Sequence, residues 1–389
     1  MQANPPTPAS RVWLTSSSCN LDDFIAQTSR VTALADYPFA TKIAANVPVY
    51  DGDAIRAAAK DPDTRRAIMA EWAEGMLNGA GMVVFTNAFE DHAAVDAATA
   101  IFNAIIAEQH RAGTGGGDHF AKPGANDRIW NALEKLCLAA PAVFARYYGN
   151  DIIAMVSQAW LGTGYQVTSQ LNVVNPGGAA QTAHRDYHMG FQTVEEIAQF
   201  PAHAHRLSPL LTLQGAVAHC DMPVESGPTL YLPCSQSYEL GYFAFHKPEF
   251  HEYFAKHHMQ LPLNKGDAVF FNPALFHAAG HNRTTDIKRM ANLLQVSSAY
   301  GRAMESMDRA RMALALYPAL PGLNPQTQAN AIAACAEGYA FPTNLDRDPP
   351  LGGLAPQTQQ GLMRQALAEG WTLEAFAGAL EKRVWSRLT

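Results

Sequence analysis

Hydrophobic spacing gives the chain helical ends and a strand-rich middle. From about residue 47 to 79 apolar positions recur at helical intervals. Asp51 or Asp53 can cap a first helix over residues 54–60. Asp61 can cap a second, with Pro62 at its first position and Met69, Trp72 and Met76 on one side. Asn78-Gly79 stops it, and Met82-Val83-Val84-Phe85 reads as a short buried strand. An alanine-rich helix follows over residues 93–109, then helices over about 129–149 and 151–161. Between them, Gly113-Thr114-Gly115-Gly116-Gly117 and Lys122-Pro123-Gly124 cannot hold a regular element and read as a loop near a pocket mouth. This stretch lacks the strand and the Lys-Ser or Lys-Thr helix start that a phosphate cradle needs. From about 165 to 300 short runs alternate or stay wholly apolar, as strands do. Past residue 301 the pattern is helical again, over 304–316, 325–338, 356–369 and 372–386. The last of these helices carries Leu373, Phe376, Ala377, Leu380 and Val384 on one face.

Two stretches of the middle carry chemistry. One is Gln181-Thr182-Ala183-His184-Arg185-Asp186-Tyr187; the other runs from Gly266 through Asp267, Phe270 and Pro273 to His277. In a strand, residues two apart point to one side, so His184 and Asp186 can grip one ion while Arg185 faces away. A His, an Asp two residues on and a remote His from a neighbouring strand make the donor set of non-haem Fe(II) sites. His219-Cys220-Asp221 offers the same spacing at the end of an apolar run, where a turn is the plainer account. Spacing alone leaves both pairs open.

Composition narrows the class. The chain has 389 residues, 48% hydrophobic and 16% charged, which suits a large globular core. A net charge of -7 argues against a nucleic-acid surface. Five cysteines without C-x-x-C spacing read as reduced thiols, neither zinc ribbon nor disulfide framework. The N-terminus lacks a basic start followed by an apolar stretch, its first ten residues read as a loose tail, and no run is long enough to span a bilayer. The expectation is a cytoplasmic protein.

From about residue 170 to 298 the chain resembles the phytanoyl-CoA dioxygenase family of Fe(II)- and 2-oxoglutarate-dependent oxygenases. The likeness rests on ordered pieces: Gln170-Leu171-Asn172; His184-Arg185-Asp186; the segment from Asp221 through Ser226-Gly227-Pro228 to Pro233; Gly266 to His277; and Lys288-Arg289 on the last core strand. Pro233-Cys234-Ser235-Gln236 departs from the family's usual Pro-Gly-Ser-His, and His281 is a second histidine after the distal one. The resemblance implies a mainly β core with α additions. That core would be a double-stranded β-helix (jelly-roll, cupin-like), flanked by N-terminal helices and a C-terminal helical extension. Residues 1–46 would be an arm, 47–300 the oxygenase domain with its core at about 165–300, and 301–389 the extension, packed on the core or forming a homodimer contact.

It further implies Fe(II), 2-oxoglutarate and O2 as cofactors, with His184, Asp186 and His277 on the metal and His219 without a metal role. The far carboxylate of 2-oxoglutarate needs a cationic fork, which arginine supplies better than lysine. Arg289 shares a strand face with Ala291 and Leu293 while Lys288 faces the other way, so Arg289 is expected there. Asn172 and Gln170, two apart on one face, are expected to hydrogen-bond 2-oxoglutarate. A carboxylate at Asp186 favours hydroxylation over halogenation. The segment after Asp186 inserts a short helix with Thr193 and Glu196 as a capping box, at the rim of the site. Tyr187, His188 and Phe191 there are substrate candidates; His203, His205, His257 and His258 read as surface residues. The expected partner is a small-molecule or carrier-bound substrate. The rival readings are a cupin-like metal enzyme that does not use 2-oxoglutarate, and a non-catalytic ligand-binding relative.

Overall fold

The computed structural model describes residues 8–114 and 124–389. Its strands are β1 Lys42–Ala44, β2 Val47–Asp51, β3 Met82–Thr86, β4 Asn126–Ile129, β5 Gln166–Val174, β6 Thr212–Ala218, β7 Leu230–Tyr231, β8 Ala268–Phe271, β9 His277–Ala278 and β10 Arg289–Ser297. Eight of them form one mixed sheet in the order β1-β2-β3-β8-β6-β10-β5-β4, and β7 pairs with β9 in a small second sheet. A large mixed sheet with many helices fits the expected β core with α additions.

The chain divides into two compact units. The first takes in residues up to 90, then 117–127 and 172–291. Its N-terminal part corrects one expectation: residues 47–51 are a strand. Val47, Val49 and Tyr50 are buried there, and β2 runs parallel to β3 with Val49 opposite Val84. The stretch joins two β-branched residues and an aromatic, and their strand preference outweighs the helical spacing that continues after them. Asp51 caps the helix Gly52–Ala58 through the amides of Asp53 and Ala54; Asp61 caps Pro62–Leu77. The two helices make the crossover a parallel pair requires. β8 then pairs antiparallel with both β3 and β6, placing Val269 between Val84 and Ala216.

This unit also holds an aromatic cluster. Phe24 meets Phe276, Phe250 and Tyr238 at centroid distances of 4.9, 5.1 and 5.3 Å. Ala183, Phe276 and Ala278 belong to the same buried cluster. They are the strand neighbours of His184 and His277, so period-two alternation sends the histidines to the opposite face. Residues 8–10, expected to be tail, open a short helix, Pro8–Val12.

The second unit comprises residues 91–116, 128–171 and 292–389, so the C-terminal helices share it with the helices that follow β3. His92–Arg111 matches the expected alanine-rich helix. The single helix expected over 129–149 is two, Ala132–Ala139 and Pro141–Tyr148. Pro141 disfavours a helical Ala140, which sits at φ -151°. Asp308 caps Arg309–Leu316 and Thr358 caps Gln359–Ala368, so both helices begin later than spacing indicates. On Leu373–Ser386 only part of the expected apolar face is covered: Phe376 and Leu380 are buried, whereas Leu373 and Val384 are exposed. Most of the glycine-rich stretch lies outside the described residues. Among those described, no helix is long and apolar enough to cross a membrane.

Candidate metal centre

His184 and His277 are direct partners in an antiparallel bridge. Each backbone N–H donates to the other's carbonyl, at 3.0 and 3.2 Å. Residues paired this way project side by side from one face, and the two imidazoles lie 4.5 Å apart. Asp186, two residues on, returns to the same face. Its Oδ2 is 3.2 Å from His277 Nε2 and its Oδ1 3.6 Å from His184 Nε2. One donor atom from each of the three residues falls within 4.8 Å of the others, the only such cluster among the described residues. His277 is buried; His184 and Asp186 are partly open, leaving one side accessible.

The imidazoles are oriented from behind. His184 Nδ1 lies 2.9 Å from the Thr182 carbonyl, and His277 Nδ1 lies 2.9 Å from that of Leu275. A carbonyl accepts only, so each Nδ1 carries the proton and each Nε2 is left with its lone pair toward the cluster. Burial by itself would raise the Asp186 carboxyl. With the two imidazoles protonated, the charge of His184, then the hydrogen bond and charge of His277, overcome that and hold it well below the usual carboxylate range; a hydrogen bond from the Gln214 amide acts in the same direction whatever their state. Two neutral imidazole nitrogens and an ionised carboxylate facing one point are a donor set that fits a divalent transition ion. His219 is elsewhere: it is buried at the end of β6, its N–H donating to the Met290 carbonyl.

Arg289 begins β10 and is buried, whereas Lys288 is exposed. Its guanidinium donates to the Gly227 carbonyl and has no carboxylate partner among the described residues. Burial lowers its pKa to about 10, so it stays cationic at neutral pH. Tyr231 is near it and stacks 6.5 Å from the His277 ring. Asn172 Oδ1 is buried without a hydrogen-bond partner among the described residues. The Gln170 amide points to Met304 Sδ at 3.9 Å and to the Glu305 carboxyl, both within the second unit.

Directly after Asp186, Tyr187 and His188 both take left-handed φ, 61° and 48°, strained for residues with side chains. Tyr187 is buried with its ring 5.8 Å from Phe191, which is 60% exposed. His188 is half-buried, 3.5 Å from the Ser208 hydroxyl. The expected capping box is present on Val194–Ile197. His205 is not a surface residue: it sits buried on Ala202–Leu207, stacked on Phe243 at 5.5 Å, with Nε2 3.2 Å from the carbonyls of Ile197 and Phe200.

Sequence reading passed over Gln214, Tyr231 and the role of Arg185. Gln214 had a legible signal, a polar side chain inside the apolar run Leu213-Gln214-Gly215-Ala216-Val217. Cys234 stands at φ 68°, the left-handed conformation that a glycine, usual at this place in the resembling family, adopts without strain.

Residues 63–290, more than half of the chain, match the family model described as phytanoyl-CoA dioxygenase (PhyH). The chain belongs to that family. With membership comes non-haem Fe(II)- and 2-oxoglutarate-dependent oxygenase chemistry and its cofactors, which the donor set suits. No curated protein sequence is significantly similar. Several solved PhyH-like structures are similar in part. The non-haem alpha ketoglutarate dependent epimerase SnoN from nogalamycin biosynthesis shares 19% identity, covering 61% of this chain and 82% of its own, at a TM-score of 0.41. The carbocyclase SnoK from the same biosynthesis shares 18%, over 58% and 83%, at 0.43. HygX from Streptomyces hygroscopicus, solved with nickel, 2-oxoglutarate and hygromycin B, shares 13%, over 59% and 87%, at 0.38. Likenesses of that order carry no argument; the family match decides.

Proposed function

We propose that this PhyH protein is a dioxygenase that hydroxylates an unactivated C–H of a small molecule or carrier-bound metabolite, with release of succinate and CO2. His184, Asp186 and His277 hold Fe(II) in this reading, and the two sheets are the halves of a double-stranded β-helix. The observation that carries it is the His184–His277 bridge with both Nε2 atoms turned on Asp186 by backbone carbonyls. Such a centre, when loaded, couples oxidative decarboxylation of 2-oxoglutarate to oxidation of a substrate carbon. His184, Asp186 and His277 would hold the ion from one face, and the side they leave accessible would admit 2-oxoglutarate and O2.

Arg289 binds the far carboxylate of 2-oxoglutarate. A buried guanidinium without an acid partner is costly unless an anion joins it, and none of the described residues supplies one. Asn172 offers its amide to the same molecule. Gln170 is kept as a second candidate, although its amide is already engaged toward Met304 and Glu305. Tyr187, His188 and Phe191 line the approach to the iron, where strained backbone next to a ligand is a usual mark of a working site.

The test is anaerobic addition of Fe(II) and 2-oxoglutarate, followed in the visible region. A weak charge-transfer band that vanishes in His184→Ala supports the reading. A band that survives in both His184→Ala and His277→Ala ends it.

A further inference from the structure

Gln214 is a polar side chain of β6 that touches the ligand set. Alternation places Thr212, Gln214 and Ala216 on one face of the strand and Leu213, Gly215 and Val217 on the other. The Gly215 face is closed by the Phe270 ring, which leaves no room there for even a Cβ. Gln214 therefore looks the opposite way. Across the sheet it pairs with Phe271, whose ring stands 4.9 Å from that of His277. From this position its Nε2 donates to Asp186 Oδ2.

The other end of the amide is left without a donor. Gln214 is 6% exposed, and its Oε1 has no hydrogen-bond partner among the described residues. An unsatisfied buried acceptor is costly, and flipping the amide would not cure it. A carboxylate only accepts, so the NH2 group must stay on Asp186. The orientation is thus set by Asp186 at the expense of Oε1.

A free carboxylate can meet an ion through one oxygen or chelate it through both. Chelation by Asp186 would consume a coordination position that 2-oxoglutarate or O2 needs. We propose, on the footing of the metal centre described above, that Gln214 is a positioning residue. By occupying Oδ2 it fixes the rotation of the Asp186 carboxylate, so that Oδ1 alone meets the ion. It acts through Asp186 and touches neither the ion nor the substrate.

The test compares wild type, Gln214→Met and His277→Ala, without turnover. Methionine keeps the length and volume of the side chain and removes the donor. The melting temperature of the metal-free protein should stay within a few degrees. Mn(II) affinity by calorimetry should fall about 10–100-fold, the usual effect of losing such an outer partner. The visible spectrum of the Co(II)-loaded protein should also change, because denticity alters its ligand field. Should Gln214→Met not fold, Gln214→Asn, which withdraws the amide by one methylene, is read in the same way. Unchanged Mn(II) affinity and Co(II) spectrum, with His277→Ala unable to bind, overturn the role of Gln214 alone. Wild-type Mn(II) affinity in His277→Ala overturns the metal centre itself and this proposal with it.

Discussion

Gly241 stands against the guanidinium of Arg185, so closely that a Cβ on residue 241 would overlap it. Arg185, the middle residue of His-x-Asp, faces away from the ligands into the aromatic cluster. There it lies 5.2 and 5.3 Å over the rings of Tyr242 and Phe276 and donates to the carbonyls of Ser235 and Tyr238 at 2.7 and 2.9 Å. No carboxylate among the described residues balances it. Burial lowers its pKa to about 10, and its charge is spent on backbone carbonyls. The arginine thus ties the ligand-bearing strand to the turn at residues 235–241.

Gly241→Ala should therefore displace Arg185. Overpacking of this kind costs about 1–3 kcal/mol, with a matching fall in denaturation midpoint. Arg185→Met should cost a comparable amount, since hydrogen bonds to charged groups contribute about 1.5–3 kcal/mol. If Gly241→Ala melted as wild type does, the tie would not be structural.

Removal of a metal ligand should leave the fold and abolish a ligand effect on it. A metal at a hundred times its dissociation constant stabilises by about 2.7 kcal/mol. Wild type should show that shift with Mn(II) in thermal melts. His184→Ala, Asp186→Ala and His277→Ala should melt near metal-free wild type and not respond. A response retained in His277→Ala would redirect attention to His281.

Arg289→Ala should weaken 2-oxoglutarate binding by well over tenfold, because truncating a desolvated charge-assisted pair costs about 2–5 kcal/mol. Lys288→Ala should change little, its side chain being exposed. Anaerobic titration of the charge-transfer band separates the two. A large effect at Lys288 with none at Arg289 would place the 2-oxoglutarate carboxylate elsewhere.

The convergence of His184, Asp186 and His277 was legible because side-chain period in a strand is a fixed property of the backbone. The identity of the neighbouring strand was not, since spacing left His219 and Asp221 equally eligible. Long-range pairing settles it: His219 meets Met290 and His184 meets His277. Gln214 and Arg185 escaped notice for a related reason. Each acts across the sheet or across the core, on Asp186 or on the turn at 235–241, and neither partner is near in sequence. Helix starts were read too early at 304 and 356 because apolar spacing ignores the cap; Asp308 and Thr358 fix the true starts. The place of His205 in an insertion between strands suggests a surface residue, yet its ring is what seats Ala202–Leu207 on Phe243.

That seat should make the segment after Asp186 sensitive to acid. Burial pushes the His205 imidazole below its ordinary value, against the hydrogen bonds to Ile197 and Phe200 and the charge of Glu239, which act the other way; Arg185 adds to the lowering. The folded state therefore holds His205 neutral, while the unfolded chain takes up its proton near pH 6.5. Above that pH the two states bind equally and nothing is lost. As pH falls below it the unfolded state binds more, and stability declines by at most about 1.4 kcal/mol per pH unit for one proton. The decline continues until the folded pKa is reached. His188, His246 and His251 are lowered by burial too, so the global slope is shared. The contribution of His205 is read as a difference. His205→Phe keeps a ring against Phe243 and cannot titrate, so it should flatten the dependence between pH 7 and 5 and slow amide exchange across residues 197–207 at pH 5. An identical slope and identical exchange in the two proteins would mean that His205 stays seated whatever its charge.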